Sequence, residues 1–211
     1  DLMSRETSKR VWQARVDPRR QTPSVGIYSH VRDNWGISYA QPIVLNERQA
    51  GAAIEGVVRD ERLETAQLAV DTHGYTDVAM TLARLLGFDL CPRLKALKDR
   101  HLFIARGTAV PEAIRSICHA RIDVQKIVDH WESIVHLVAS VHSGHTSAVH
   151  ALARFGSASR GDPLYEAMVQ LGKLLRTVFL ADYFVNATFR RELLRVLNRG
   201  EAVNALKRAI Y

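Results

Sequence analysis

An apolar run, Gln67-Leu68-Ala69-Val70, stops at Asp71. Thr72, His73, Gly74 and Tyr75 follow before a new helical pattern begins. A carboxylate at the end of a central strand, facing a loop, stands where open α/β sheets gather their functional groups. The same position also suits an Asp that only stabilises the next turn. The chemistry such a group best serves is metal-assisted phosphoryl transfer. Asp and Glu supply hard, anionic oxygens for Mg²⁺, and a pair of ions clamps the attacking and leaving oxygens. The ligands need not be neighbours in sequence, because strand ends and a nearby helix can bring them together. The chain holds 22 Asp and Glu residues, so composition alone selects none of them.

Other chemistries find less support. The chain has no GxGxxG, no GxxxxGK[ST] and no GxSxG. His142, His145 and His150 in "HSGHTSAVH" lack the HExxH spacing and a nearby cysteine pair, and read as polar loop and helix-face residues. Tyr75 could attack DNA as a nucleophile, but beside Gly74 it reads as a packing residue. Trp12, Trp35 and Trp131 are too scattered for base stacking and are expected in core or rim packing. Cys91 and Cys118 form no CxxC pair and fit core thiols in a reducing cytosol. With 29 basic and 22 acidic residues the net charge is +7, which favours an anionic partner, nucleic acid ahead of a membrane surface. No apolar run is long enough to span a bilayer and no signal peptide is visible. The chain opens at Asp1 without Met and reads as a piece of a longer protein.

The elements around Asp71 have legible signals. The 211 residues suffice for one sizeable domain, or one domain with an inserted lobe. Residues 1–23 are polar and basic, with "RVDPRRQTP" as a loop. "VGIYSHV" (25–31) and "ISYAQPIVL" (37–45) read as a hairpin around "RDNWG", with Pro42 marking an edge. "NERQAGAAIEGVVRDERL" reads as an amphipathic helix capped by Asn46. "TAQLAV" (65–70) suits a central strand, "TDVAMTLARLLG" a helix capped by Thr76 and stopped by Gly87, and "FDLCPRL" another short strand. From about Pro111 onward the pattern is helical, broken at "SASRGDP" (157–163) and again near Asn198–Gly200. The outcome is an α/β unit with a helical extension: a core over 1–110, a helical insertion over 111–185 and a C-terminal helical segment over 186–211.

Longer stretches carry a resemblance. "VDTHGYTD" followed by "LLGFDLCPRLKALKDRHLF" resembles the DDE catalytic domain of replicative transposases of the Tn-three family. So does "ARVDPRRQTPSVGIYSHVRDNWGISYAQPIVLNERQAGAAIEGVV" before it, and "LNRGEAVNALKRAIY" near the end. The resemblance implies a ribonuclease-H-like fold, with a mixed sheet and a helical insertion before the last catalytic helix. It also implies three carboxylates holding two Mg²⁺ ions, with Mn²⁺ as a substitute. Asp71 in "DTHG" corresponds to the second and Glu201 in "NRGEA" to the third. Asp1 matches the first by position. Family members commonly have Gly after that residue, whereas Leu2 stands here, and the strand expected to deliver Asp1 would precede it. Asp33 in "VRDNWG" is the alternative, less favoured because it sits in a hairpin turn.

The resemblance further implies metal-dependent DNA 3′-end nicking and strand transfer by two-metal in-line displacement, with Asp71 bridging both ions and Asp1 and Glu201 each holding one. Double-stranded DNA, as transposon ends and target, would be the partner. The full-length protein would dimerise and work on the nucleoid in a bacterial cytoplasm, with no membrane role. Arg19, Arg20, Arg93, Lys95, Lys98, Arg100, Arg190, Arg191, Arg199 and Lys207 are then candidate phosphate contacts, and His73 either orients a ligand or phosphate or stabilises its turn. Two alternatives remain: a truncated transposase remnant that binds DNA without chemistry, and another nuclease of the same fold.

Overall fold

The computed structural model describes residues 2–18, 21–45, 48–60, 64–156 and 161–210. The architecture is mixed α/β. Strand β3 (Pro23–Val31) is the spine of an antiparallel sheet. It pairs with β1 (Leu2–Glu6) on one side, Leu2 opposite Tyr28 and Glu6 opposite Ser24. On the other side it pairs with the short β2 (Arg15–Val16) and with β4 (Ile37–Ile43). The expected hairpin is present, and Pro42 lies on β4, which pairs with β3 alone among the described strands. The polar stretch 1–23 is not all loop, as its sequence suggested. Met3 of β1 is buried opposite Ile27, and one inward apolar residue with a paired backbone suffices for an edge strand.

Helix α1 (Gln49–Arg59) covers this sheet. His30 Nε2 meets the Ala53 carbonyl at 2.7 Å and Gln41 donates to the Ala52 carbonyl at 3.0 Å. Arg48 stands at the helix N-cap without a side-chain cap, and Asn46, the expected cap, lies outside the described residues. Next comes a βαβ unit. Strands β5 (Gln67–Val70) and β6 (Asp89–Pro92) are parallel, joined by α2 (Asp77–Leu85). Thr76 caps α2 as its sequence indicated, accepting from Ala79 N–H at 3.1 Å. Gly87 ends the unit's helix at φ +99°, a left-handed conformation that costs glycine nothing.

After Pro111 the structure departs from the helical expectation. A 3₁₀ segment over Glu112–Ile117 leads into β8 (Cys118–Ile122), which pairs in parallel with β7 (Leu102–Ala105). Short strands with polar residues, such as "CHARI", carry little periodicity and are hard to separate from helix. The helices then follow: α3 (Val124–Asp129), α4 (Trp131–His142), α5 (Ala148–Ala153), α6 (Pro163–Val185) and α7 (Ala187–Ile210). Asp162 caps α6, accepting from Leu164 N–H at 2.9 Å. Helix α7 runs unbroken through Asn198–Gly200. A single mid-helix Gly costs about 1 kcal/mol relative to Ala, which contacts along the helix offset. The strands lie in three separate sheets among the described residues, one antiparallel and two parallel, not in one mixed sheet.

A continuous apolar core joins these layers, with Ile54 from α1, Leu82 from α2, Ile122 from β8, Ile134 from α4 and Met168 and Leu180 from α6 all buried. Helix α6 crosses α2 so closely at Gly172 that a Cβ there would fall 1.9 Å from the Asp77 carbonyl oxygen. Cys91 is buried and Cys118 half-buried, both free thiols. Trp12 is not packed as expected: it is 89% exposed, and Trp35 and Trp131 are exposed too. No helix among the described residues is long and apolar enough to cross a membrane.

Candidate catalytic carboxylate site

Strand β5 ends in the buried Val70, and the chain turns at once. Gly74 N–H donates to the Asp71 carbonyl at 2.8 Å. The turn leaves the Asp71 side chain exposed, where its Oδ1 accepts from Thr72 Oγ1 at 3.3 Å. His73 in the same turn is exposed. Tyr28, opposite Leu2 in the register, is buried, and burial with the Asp71 carboxylate nearby pushes its phenol above its ordinary pKa. A neutral phenol therefore lies within electrostatic reach of Asp71, on the strand that pairs with the first residues of β1.

Glu201 arrives on α7, 130 positions after Asp71. Arg93, the residue after β6, links the two. Its N–H donates to the Val70 carbonyl at 2.8 Å, beside Asp71. Its guanidinium reaches Glu201 Oε1 at 2.9 Å and Asn198 Oδ1 at 3.2 Å. Glu201 therefore stands one arginine side chain away from the strand end that carries Asp71.

Helix α7 has few buried apolar residues, and polar contacts hold it elsewhere too. Arg199 donates to the Asp33 carbonyl, lies 3.3 Å from Asp33 Oδ1 and sits over the Trp35 ring at 5.3 Å. Lys207 donates to Ser29 Oγ at 2.8 Å, Arg5 donates to the Lys207 carbonyl at 3.2 Å, and burial lowers the Lys207 pKa. Asp33 lies in the hairpin turn, as its sequence indicated, with Trp35 N–H closing onto the Arg32 carbonyl.

Several basic residues thus have protein partners. Arg100 donates to the Lys95 carbonyl at 3.0 Å and to Tyr75 Oη at 3.2 Å. Arg190 donates to the Tyr183 and Phe184 carbonyls at the end of α6, at 2.5 and 2.7 Å. Arg191 is exposed and reaches Thr188 Oγ1 at 3.4 Å. Lys95 and Lys98 are exposed in the segment after β6. Asp1, Arg19 and Arg20 lie outside the described residues. Sequence reading missed Tyr28, which looked like any strand aromatic, and the bridging role of Arg93, whose only signal is its place just after a strand.

Among the described residues no three His, Cys, Asp or Glu side chains gather as metal ligands, the 142–150 histidines included. Asp71 and Glu201 are both exposed, and their oxygens have the hardness that Mg²⁺ prefers, so the donor chemistry fits a divalent cation. In this structure the guanidinium of Arg93 supplies the positive charge beside Glu201.

Comparison with known proteins gives the family. The chain is 75% identical over all its 211 residues to a Comamonas testosteroni transposase for insertion sequence element IS1071 in transposon Tn5271, covering 22% of that protein. It is 32% identical over 193 residues to the transposase for transposon Tn2501 from Escherichia coli, with 90% of this chain and 19% of that protein covered. It is also 32% identical over 186 residues to the transposase for transposon Tn1546 from Enterococcus faecium, with 88% and 19% covered. The chain therefore spans about a fifth of the length of these curated relatives. The family model described as the Tn3 transposase DDE domain matches residues 1–211, and the chain belongs to that family.

Proposed function

We propose that the chain has a ribonuclease-H-like fold and forms the centre of a DNA transposase that nicks DNA to expose 3′ ends and transfers them into target DNA. The element order supports the fold: antiparallel strands, a covering helix, then β5, α2 and β6 in parallel connection. The observation that carries the site is the Arg93 bridge, which brings Glu201 to the strand end bearing Asp71. Asp1 would complete the set, on the positional resemblance that its sequence carries.

Asp71 and Glu201, with Asp1, would hold two Mg²⁺ ions, or Mn²⁺ in their place. When bound, such ions polarise a phosphodiester and make water or a 3′-hydroxyl a better nucleophile. Thr72 orients the Asp71 carboxylate through its hydroxyl. Lys95 and Lys98, exposed beyond β6, are the basic residues best placed to meet phosphates, with Arg191 on α7. In the reaction an incoming oxygen attacks phosphorus in line and the P–O3′ bond breaks, so one bond forms as one is lost. Double-stranded DNA is the substrate, the bacterial cytoplasm and nucleoid the setting, and a dimer of the full-length protein the form that pairs two ends.

The test is Mg²⁺ and Mn²⁺ titration by calorimetry on the chain, beside Asp71→Ala and Glu201→Ala. Both variants are expected to weaken divalent binding at least about tenfold, as lost anionic ligands do. Binding unchanged in both would overturn the site. Glu201 already carries a partner in Arg93, and this favours one second reading, a DNA-binding remnant without chemistry. Absence of divalent binding in the parent would select it.

A further inference from the structure

A cavity of about 470 Å³ opens beside the Asp71 turn, between α2 and α6. Thr72 lines it, and Thr72 Oγ1 is the group that donates to Asp71 Oδ1, so the cavity and the carboxylate share a wall. Three arginines reach it: Arg48, Arg100 and Arg176. Arg176 is matched by Asp77 at 2.8 Å, which leaves the charges of Arg48 and Arg100 facing the opening. The lining is also apolar and aromatic, with the half-buried Tyr165 backed by the buried Phe155 at a ring separation of 5.8 Å.

The geometry points to a subsite for one nucleotide of the DNA strand next to the reacting phosphate, its phosphate on Arg48 and Arg100 and its base or sugar against Tyr165. This rests on the proposed reading of Asp71. The volume suits it: small-ligand cavities run about 300–1,000 Å³, far more than a bare phosphate fills. Guanidinium forks bind phosphate oxygens with two parallel hydrogen bonds, and Arg100 is already oriented by Tyr75 Oη and the Lys95 carbonyl. An aromatic wall accepts any base, because every base presents a π-face. Position adds the final reason, since a nucleotide seated here would direct its neighbouring phosphate toward Asp71.

The test is made without divalent metal, in EDTA, so that it is independent of the carboxylates. Thymidine 3′,5′-bisphosphate is titrated by calorimetry against the chain, with inorganic phosphate as the comparison. The bisphosphate is expected to bind at least about tenfold more tightly than phosphate, given the gain from base–aromatic contact. Arg48→Gln and Arg100→Gln are each expected to weaken it about five- to tenfold, as loss of a charge-assisted pair does. Arg115→Gln, exposed on the 3₁₀ segment and outside the cavity, is expected to leave it unchanged. Arg48 is exposed, so its variant keeps the fold, and melting curves check both. A single-stranded dodecamer carrying one abasic site at successive positions is expected to lose affinity at one position only. Equal binding of phosphate and bisphosphate, equal effects of Arg115 and Arg48, or no dependence on abasic position would each overturn the subsite. Divalent titration of Arg48→Gln separates the two readings: intact metal binding with lost nucleotide binding leaves the carboxylate site standing, and lost metal binding with intact nucleotide binding does the reverse.

Discussion

The Arg93–Glu201 contact can be measured as a coupling energy. Two unit charges 2.9 Å apart attract by roughly 1.4 kcal/mol in water and roughly 6 at an effective dielectric of 20. Glu201 is 59% exposed and Arg93 24%, so solvent screens most of that, and ordering two long side chains opposes it. Exposed pairs of this kind give about 0.2–1 kcal/mol, and the partial burial of Arg93 puts this one in the upper half of that range. The assay is a double-mutant cycle of Arg93→Ala, Glu201→Ala and the double variant, with urea denaturation at low ionic strength. A coupling of about 0.5–1 kcal/mol is expected, falling by more than half in 1 M NaCl, where the Debye length is about 3 Å. A parallel cycle of Arg93 with Asn198, a neutral acceptor at 3.2 Å, is expected to keep most of its coupling in salt. A Glu201 coupling within about 0.2 kcal/mol of zero, or one that salt does not touch, would refute the bridge as the tie that seats α7 at β6.

Three further outcomes follow from buried contacts. Glu55 on α1 is buried and accepts from Ala148 N–H at 2.5 Å, so Glu55→Ala leaves that donor unpaired and is expected to cost about 2–3 kcal/mol in denaturant midpoints, with Glu55→Gln costing less than half as much. Gly172→Ala drives a methyl into the Asp77 carbonyl and is expected to cost about 3 kcal/mol or to move α6 off α2, visible as a lost or lowered melting transition. Burial lowers the His30 pKa below its usual 6.5, so the unfolded state binds more protons near that pH. Stability is thus fully present above about pH 6.5 and declines as pH falls through the lowered value. Melting temperature is expected to drop between pH 7 and 5, and His30→Gln to flatten that drop.

The hairpin, the βαβ unit and the Asp71 turn were legible because their signals are local. "RDNWG" supplies turn residues between two β-branched runs, Thr76 an N-cap and Gly87 a positive-φ stop. Strands β1 and β8 were not, since each is short, carries polar residues and gains its order from pairing with β3 or β7, with no turn or cap signal of its own. The unbroken α7 was misjudged at Gly200 for the same reason: its stability comes from what it touches. Asp71 and Glu201 were legible as residues of a recognised pattern, but their joint position was not. The link depends on Arg93, which sequence reading assigned to phosphate contact.

That reassignment changes how the charge of +7 should be understood. Arg93, Arg199 and Lys207 fasten α7 to β6, to the hairpin turn and to Ser29. Arg190 closes the end of α6 in the same way. These cations hold the helix that carries Glu201, so salt weakens its seating at the same time as it weakens any phosphate contact. A steep salt dependence of DNA binding would therefore mix two effects, whereas the usual treatment assigns all of it to released counterions, at about 0.9 per phosphate on duplex DNA. Lys95 and Lys98 separate them. Both are exposed after β6, and neutralising either is expected to reduce the salt slope by about one with no change in melting temperature. Neutralising Arg199 is expected to lower the melting temperature first, and the slope only as a consequence.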